Sequence, residues 1–404
     1  MLLLALVGCS HKPEPLSPIV PEKRDQCLLA SNPSEHTETL TVALAGPVDL
    51  AHALNPTNDS ERLLFRQGTP TLVRLDCLGN VHPSLAESWQ KSADGQEWTF
   101  TLGEGAQFVG VPVTAVQVAA TLMRPDAKAR GIDSAVYLDD RRVRVRLHNA
   151  RDTLPRLFAE PALAMAGVLA SVGGPVKRFV VSRPARRPII DFEVAENGDV
   201  RDAIDRGADL AVTRDPAIVE YVAGRPEFET YPLPWSVTYI LLQPAGAQSL
   251  AVTGDSVRRS LAGDAVRAEA RPAEPPFWWD SLAGCAGGTD SEGQQLTASR
   301  IVYPREDEVA RGLAERLVAL AGTGTSLRAA GLGPAEFSAA LRDGTERGLV
   351  IAVPRESLAP CRDASGWPSG ASIQPLIDTR ARAIVRQGSP ALAVDWDGTV
   401  RVLP

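Results

Sequence analysis

The sequence predicts an α/β fold built from more than one compact unit, and three observations predict it. Short apolar and β-branched stretches alternate with segments of helical period, as strands packed against helices do. At 404 residues the chain exceeds one simple core and suits two or three units. A hydrophobic content of 44% with 23% charged residues is that of an ordinary globular protein. The formal net charge of −7 argues against a nucleic-acid binder, which would show a basic face.

The elements follow in order. Ser10 to His36, rich in Pro, Ser and Glu, reads as a tether. Thr39 to Leu44 is a first strand, and Ala45 to Asn58 is a loop broken by Gly46, Pro47, Asn55 and Pro56. Glu61 to Phe65 begins a helix. Leu72 to Leu75 alternates like the end of a strand and runs into a turn at Asp76 to Asn80. Leu85 to Trp89 is short and apolar, Ala93 to Gly95 is a hairpin-type turn, and Trp98 to Leu102 is a strand of period two. Thr114 is placed to cap a helix from Ala115 to Leu122. Val136 to Leu138 and Val143 to Leu147 are strands around an Asp139-Asp140 turn. Asp152 or Thr153 could cap a short helix through Phe158 and Ala159.

The second half continues the alternation. Arg178 to Val181 is a strand; Asp199 caps a helix that Gly207 stops, and Asp209 to Thr213 is the strand after it. Ser236 to Gln243 is a long apolar strand, and Asp255 to Ala262 is a capped helix. Ile301 to Tyr303 is a strand, followed by a helix with Val309, Leu313, Leu317 and Leu320 on one face. Pro334 starts a helix through Phe337 and Leu341, and Leu349 to Val353 is a fully apolar, buried strand. Leu392 to Val394 and Val400 to Leu403 flank an Asp397-Gly398 turn as a terminal hairpin.

The stretch from Leu72 to Val118 resembles the signature region of the family 5 extracellular solute-binding proteins, the peptide and nickel receptors of ABC importers. In that family "LVRLD", a Gly turn, "P-x-LAESW", "DG-x-x-(W/Y)-TF-x-L", "G-x-x-F" and "P-(V/L)-TA-x-x-V" follow in order. Here they are Leu72 to Asp76, Gly79, Pro83 with Leu85 to Trp89, Asp94-Gly95 with Trp98 to Leu102, Gly105 with Phe108, and Pro112 to Ala115 with Val118. The resemblance implies a two-lobed periplasmic-binding-protein fold of type II-like architecture, with hinge-linked, discontinuous lobes. On that pattern residues 38–245 form the first lobe, with an inserted subdomain at about 61–172; 246–370 form the second lobe, and 371–404 return to pack on the first.

The resemblance also implies a ligand cleft. The helix before the signature carries residues near ligand in the family, and Arg66 and Gln67 occupy that region here. Trp235 and Tyr239 stand near the hinge, and Trp278, Trp279 and Trp367 are second-lobe candidates for an aromatic wall. Trp89 and Trp98 occupy motif positions whose family role is structural. In peptide-binding relatives an Asp after the buried second-lobe strand pairs with the peptide's amine. Here Arg355 and Glu356 follow that strand instead, Glu356 suiting an amine and Arg355 an acidic group. Gln243 replaces the family's Asn, the "GTGPY" turn becomes Gly173-Gly174-Pro175, and "F-x-D-G" becomes Phe108-Val109-Gly110. The chain is shorter than typical members, chiefly in the second lobe.

The N-terminus adds a location. Leu6 to Cys9 looks like a bacterial lipobox after an apolar run, making residues 1–9 a lipoprotein signal remnant, Cys9 the lipidated residue and 10–37 a flexible tether. The basic region expected ahead of that run is missing, which a start codon set too far downstream would explain. The expected place is outside the cytoplasm, anchored to the membrane, on the periplasmic side where an outer membrane exists. Of the five cysteines, Cys27, Cys77, Cys285 and Cys361 remain, and four allow three pairings. Cys27 with Cys77 and Cys285 with Cys361 keep each pair inside one lobe; free buried thiols are the alternative.

No Gly-x-Ser-x-Gly, P-loop, His-Glu-x-x-His or dinucleotide fingerprint is present, so the chain reads as a non-enzyme without cofactor or metal. His11, His36, His52, His82 and His148 form no ligand spacing, although His52 and His82 lie in first-lobe loops. The expected partners are a peptide or similar small solute, an ABC permease and the bilayer, with the protein itself a monomer. A nickel or metal-chelate binder of the same family is one alternative. A lipoprotein using the two-lobe fold as an interaction module is another, and an extracytoplasmic hydrolase a third.

Overall fold

The computed structural model describes residues 27–29, 39–108, 111–129, 131–150, 156–165, 174–183, 186–244, 255–263, 269–273, 300–321, 326–354 and 371–402. Three sheets organise these residues. The first has six strands in the order Arg178–Arg183, Arg186–Val194, Thr39–Leu44, Leu210–Thr213, Arg382–Arg386 and Phe228–Pro232. Thr39–Leu44 runs parallel to Arg186–Val194 and to Leu210–Thr213. Its alternate residues pack on two cores. Leu40, Val42 and Leu44 meet Leu64 and Phe65 of the helix Asp59–Gly68, while Ala43 meets Ile204, Ile218 and Val222. Burial on both faces leaves all four residues of Leu210–Thr213 buried.

The second sheet is antiparallel, in the order Ala86–Lys91, Glu97–Leu102, Arg142–Leu147 and Ile132–Tyr137, and its first two strands belong to the signature stretch. Trp98, Phe100, Leu102, Val143, Val145 and Leu147 are buried on one face, and arginines and threonines alternate with them on the other. The helix Ala115–Leu122 covers this core with Ala115, Val118, Ala119 and Leu122. Thr114 and Gln117 form the capping box at its start. The segment Leu85 to Trp89 proves to be mostly the edge strand of this sheet.

The third sheet has six strands in the order Glu269–Pro272, Ser372–Arg380, Val237–Gln243, Gly348–Pro354, Arg300–Pro304 and Arg328–Leu332. The helix Glu308–Leu320 packs on it through Val309, Leu313 and Leu317. Leu320, expected on the same face, is exposed because it is the helix's last residue.

The chain passes between the first and third sheets twice. Residues 233–236 join Phe228–Pro232 to Val237–Gln243, and Ala381 alone joins Ser372–Arg380 to Arg382–Arg386. Val237–Gln243 and Ser372–Arg380 thus lie in the third sheet, not with the first-sheet strands as the boundaries at 245 and 371 would put them. An apolar run buried throughout, such as Val237–Gln243, needs a strand on each side, and Gly348–Pro354 and Ser372–Arg380 supply them.

The N-terminal residues described are tied to the end of the chain. Cys27 is disulfide-bonded to Cys77, with Cα atoms 5.6 Å apart. Leu28 bridges Ala393, and Leu29 N donates to Leu392 O at 2.8 Å. These contacts meet the terminal hairpin Leu392–Val394 with Val400–Val402, whose turn carries Gly398 at φ +88°. Cys9, Cys285 and Cys361 lie outside the described residues. Among the described residues no helix is long and apolar enough to cross a membrane.

Candidate functional site

The two crossings bring equivalent edges of the first and third sheets together. In the first sheet Thr213 pairs with Arg382 and Pro232 pairs with Arg382, so the carboxyl ends of the parallel strands lie at the crossing. In the third, Val237 pairs with Pro354 and with Thr379, so the carboxyl end of Gly348–Pro354 lies there too. Arg300–Pro304 and Arg328–Leu332 run parallel to it and end on the same side. Ligands of open α/β sheets bind outside strand carboxyl ends, where loops and helix N-termini point.

Polar side chains gather at this seam. Arg214 follows the strand Leu210–Thr213 and grips Asp59, with Nε to Oδ2 at 2.6 Å and Nη2 to Oδ1 at 3.2 Å. Its Nη1 donates to Thr379 Oγ1 and its Nη2 to Ser236 Oγ, each at 3.0 Å. Asp59 is the first residue of its helix, after the N-cap Asn58, where the helix dipole favours a negative charge. Burial alone would raise the Asp59 carboxyl, but the attraction of Arg214 and then Arg62 outweighs it and holds the pKa below 3.8.

On the third-sheet side Tyr239 donates its hydroxyl to Asp307, 3.1 Å from each carboxylate oxygen. Asp307 N-caps the helix Glu308–Leu320, accepting from Ala310 N at 2.9 Å. Burial raises the Asp307 carboxyl above 3.8, and the bonds from Ala310 and Tyr239 offset this only in part. Burial, then the Asp307 charge, pushes the Tyr239 phenol well above its usual value. Asp59, Arg214, Ser236, Tyr239, Asp307 and Thr379 form a polar floor where the two sheets meet.

The residues proposed from sequence divide sharply. Tyr239 joins this floor. Trp235 lies in the first crossing, with the guanidiniums of Arg271 and Arg380 over its ring at 4.6 and 4.4 Å. Arg66 is instead a core residue. Its Nη2 donates to Asp397 Oδ2 at 2.6 Å, to Ala159 O at 3.0 Å and to Thr71 Oγ1 at 3.2 Å. Gln67 is buried beside it on the same helix. Both are buried, as is every residue of this helix from Ser60 to Gly68. Trp278, Trp279, Arg355, Glu356 and Trp367 lie outside the described residues.

His52, at the end of the 3-10 helix Leu50–His52, and His82, on the short strand Val81–Pro83, each face a carboxylate. His52 Nδ1 is 2.7 Å from Glu61 Oε1, and His82 Nε2 is 2.8 Å from Asp76 Oδ2. Trp98 is buried in the second core and Trp89 packs against it. Asp59, Arg214, Ser236, Asp307 and Thr379 were not legible as a group. Asp59 and Asp307 each stand at the start of a helical run, a signal that finds caps and not sites.

Residues 80–197 match the family described as bacterial extracellular solute-binding proteins, family 5. No match is found among the curated proteins. Solved structures of this family share the fold. NikA from Brucella suis, in complex with Fe(III)-EDTA, is 16% identical, with a TM-score of 0.60, covering 87% of this chain and 95% of its own. OppA from Listeria monocytogenes, bound to peptide, is 12% identical with a TM-score of 0.60, covering 91% of this chain and 99% of its own. NikZ from Campylobacter jejuni, in complex with Ni(L-His), is 13% identical with a TM-score of 0.56, covering 88% and 97%. The chain therefore has the two-lobed fold of these binding proteins.

Proposed function

We propose that this chain, which carries the family 5 signature and fold, is an extracytoplasmic substrate-binding lipoprotein of an ABC importer. It takes a peptide or similar small solute between its lobes and hands it, chemically unchanged, to a membrane permease. A solute touching both lobes binds the closed arrangement more tightly than the open one and shifts the population towards closure. Acylation of Cys9 would hold the protein at the membrane as a monomer, and 10–37 would let it reach the permease.

One observation carries this reading. The carboxyl ends of the parallel strands in two separate sheets face a common seam, floored by polar groups and joined, among the described residues, by two crossings. The match to a binding-protein family supports binding in preference to catalysis.

Native mass spectrometry of protein purified from its own host tests what is bound. Solution scattering with a panel of peptides and metal chelates then tests closure. A panel in which no member compacts the protein would sink the receptor reading. It would leave the interaction-module reading, which the absence of the family's amine-binding Asp after Pro354 favours.

A further inference from the structure

The crossings are slight for a joint between two six-stranded sheets. One is Leu233-Pro234-Trp235-Ser236 and the other is Ala381. They lie side by side: Leu233 N donates to Ala381 O at 3.0 Å, and Ser236 N to Thr379 O at 3.2 Å. Proline fixes φ at one of these positions, so any change in lobe angle falls on the few residues left.

Arg214 belongs to neither crossing but holds both. Its backbone follows a first-sheet strand, and Asp59 fixes the guanidinium from the first-lobe side. The same guanidinium reaches the hydroxyl of Ser236 in the first crossing and that of Thr379 beside the second. Bending at the crossings must carry Arg214 along or break these two bonds. Asp59 opposes the first outcome, because its bidentate grip holds the guanidinium in one orientation.

We infer that Arg214 is a positioning residue that ties the two lobes at a set angle through Ser236 and Thr379. The tie governs how readily the seam opens and closes around a solute, so its use in binding rests on the function proposed above. The tie itself is measurable without any solute, which keeps the two readings separable.

Arg214→Ala strands the Asp59 carboxylate and disturbs the first lobe, so the hydroxyls are the cleaner perturbation. The experiment compares amide hydrogen exchange in the solute-free wild type, in Ser236→Ala/Thr379→Val and in Thr379→Ser. In the double variant, exchange at Leu233 and at position 236 should accelerate about ten- to hundredfold, the factor for one hydrogen bond to a charged group at each crossing. Ile240 and Leu241, inside the third sheet, should keep wild-type protection. Thr379→Ser retains its hydroxyl and should keep protection at both crossing amides. Unchanged exchange at Leu233 and position 236 in the double variant overturns the tie. So does acceleration spread equally to Ile240 and Leu241, which marks general destabilisation. Failure of every solute to bind, with the exchange pattern as expected, would reject the receptor reading and leave the tie standing.

Discussion

Asp397→Asn should cost this protein about 3–5 kcal/mol of stability, the range for breaking a buried ion pair. The Arg66 and Asp397 side chains are only 2% and 0% exposed, and their closest atoms are 2.6 Å apart. Asn keeps the shape of Asp and tolerates the same turn, but it removes the charge and one of the two acceptors that Arg66 and Thr399 N use. It leaves the Arg66 guanidinium buried without a counter-ion. Its remaining acceptors are a hydroxyl and a carbonyl, while Nε and Nη1 meet no hydrogen-bond partner among the described residues. At about 2–4 °C per kcal/mol for a unit of this size, the melting temperature should fall by roughly 6–20 °C. Urea unfolding monitored by circular dichroism reads the effect as a lower midpoint at unchanged slope. Arg66→Met/Asp397→Leu removes both charges and should recover most of the loss. A loss below about 1 kcal/mol for Asp397→Asn would refute the structural assignment of Arg66 and return it to consideration as a ligand residue.

Three further outcomes follow from the same physics. The Asp59 and Asp397 carboxyls are held below the unfolded value of 3.8 by Arg214 and Arg66 against the opposing effect of burial. Their stabilisation is therefore complete above 3.8 and lost as pH falls through the lower folded values; acid unfolding should be shallower in Asp397→Asn. Gly398→Ala places a Cβ 2.8 Å from Arg62 Cγ at φ +88°, and should cost about 1–3 kcal/mol in thermal unfolding. Cys9→Ala should move the protein from the membrane to the soluble fraction of its host; continued co-fractionation with lipid would reject the proposed anchor.

Local chemistry was legible in the sequence and distant pairing was not. Thr114 and Gln117 sit three residues apart, so their capping box could be read from spacing alone. The Asp397-Gly398 turn and the period of Trp98 to Leu102 are equally local signals. Arg66 reads as a cleft residue in the sequence because its partner Asp397 stands 331 residues away. Nothing in the helix itself distinguishes an arginine aimed at a cleft from one aimed into a core. The place of Val237–Gln243 in the third sheet is hidden for the same reason, since an apolar strand names its burial but not the strands it pairs with.

The seam also separates holding from choosing. Arg214 gives its donors to Asp59, Ser236 and Thr379, so a solute could take it only by displacing a group already placed. Tyr239 is likewise committed to Asp307. On the proposed function, selection then falls to loops that rise from the same strand ends, beginning with the one after Leu44. That loop is built to be rigid. The buried Glu61 carboxylate accepts Asp49 N at 3.0 Å, Thr57 N at 2.7 Å and the Thr57 hydroxyl at 2.8 Å, and lies 2.7 Å from His52 Nδ1. Asn58 adds a bond from Nδ2 to Pro47 O at 3.0 Å and caps the helix through Glu61 N at 3.0 Å. One carboxylate thus fixes both the loop's course and the start of the helix that presents Asp59 to Arg214. A preorganised wall lowers the ordering cost that a mobile loop would impose on each solute.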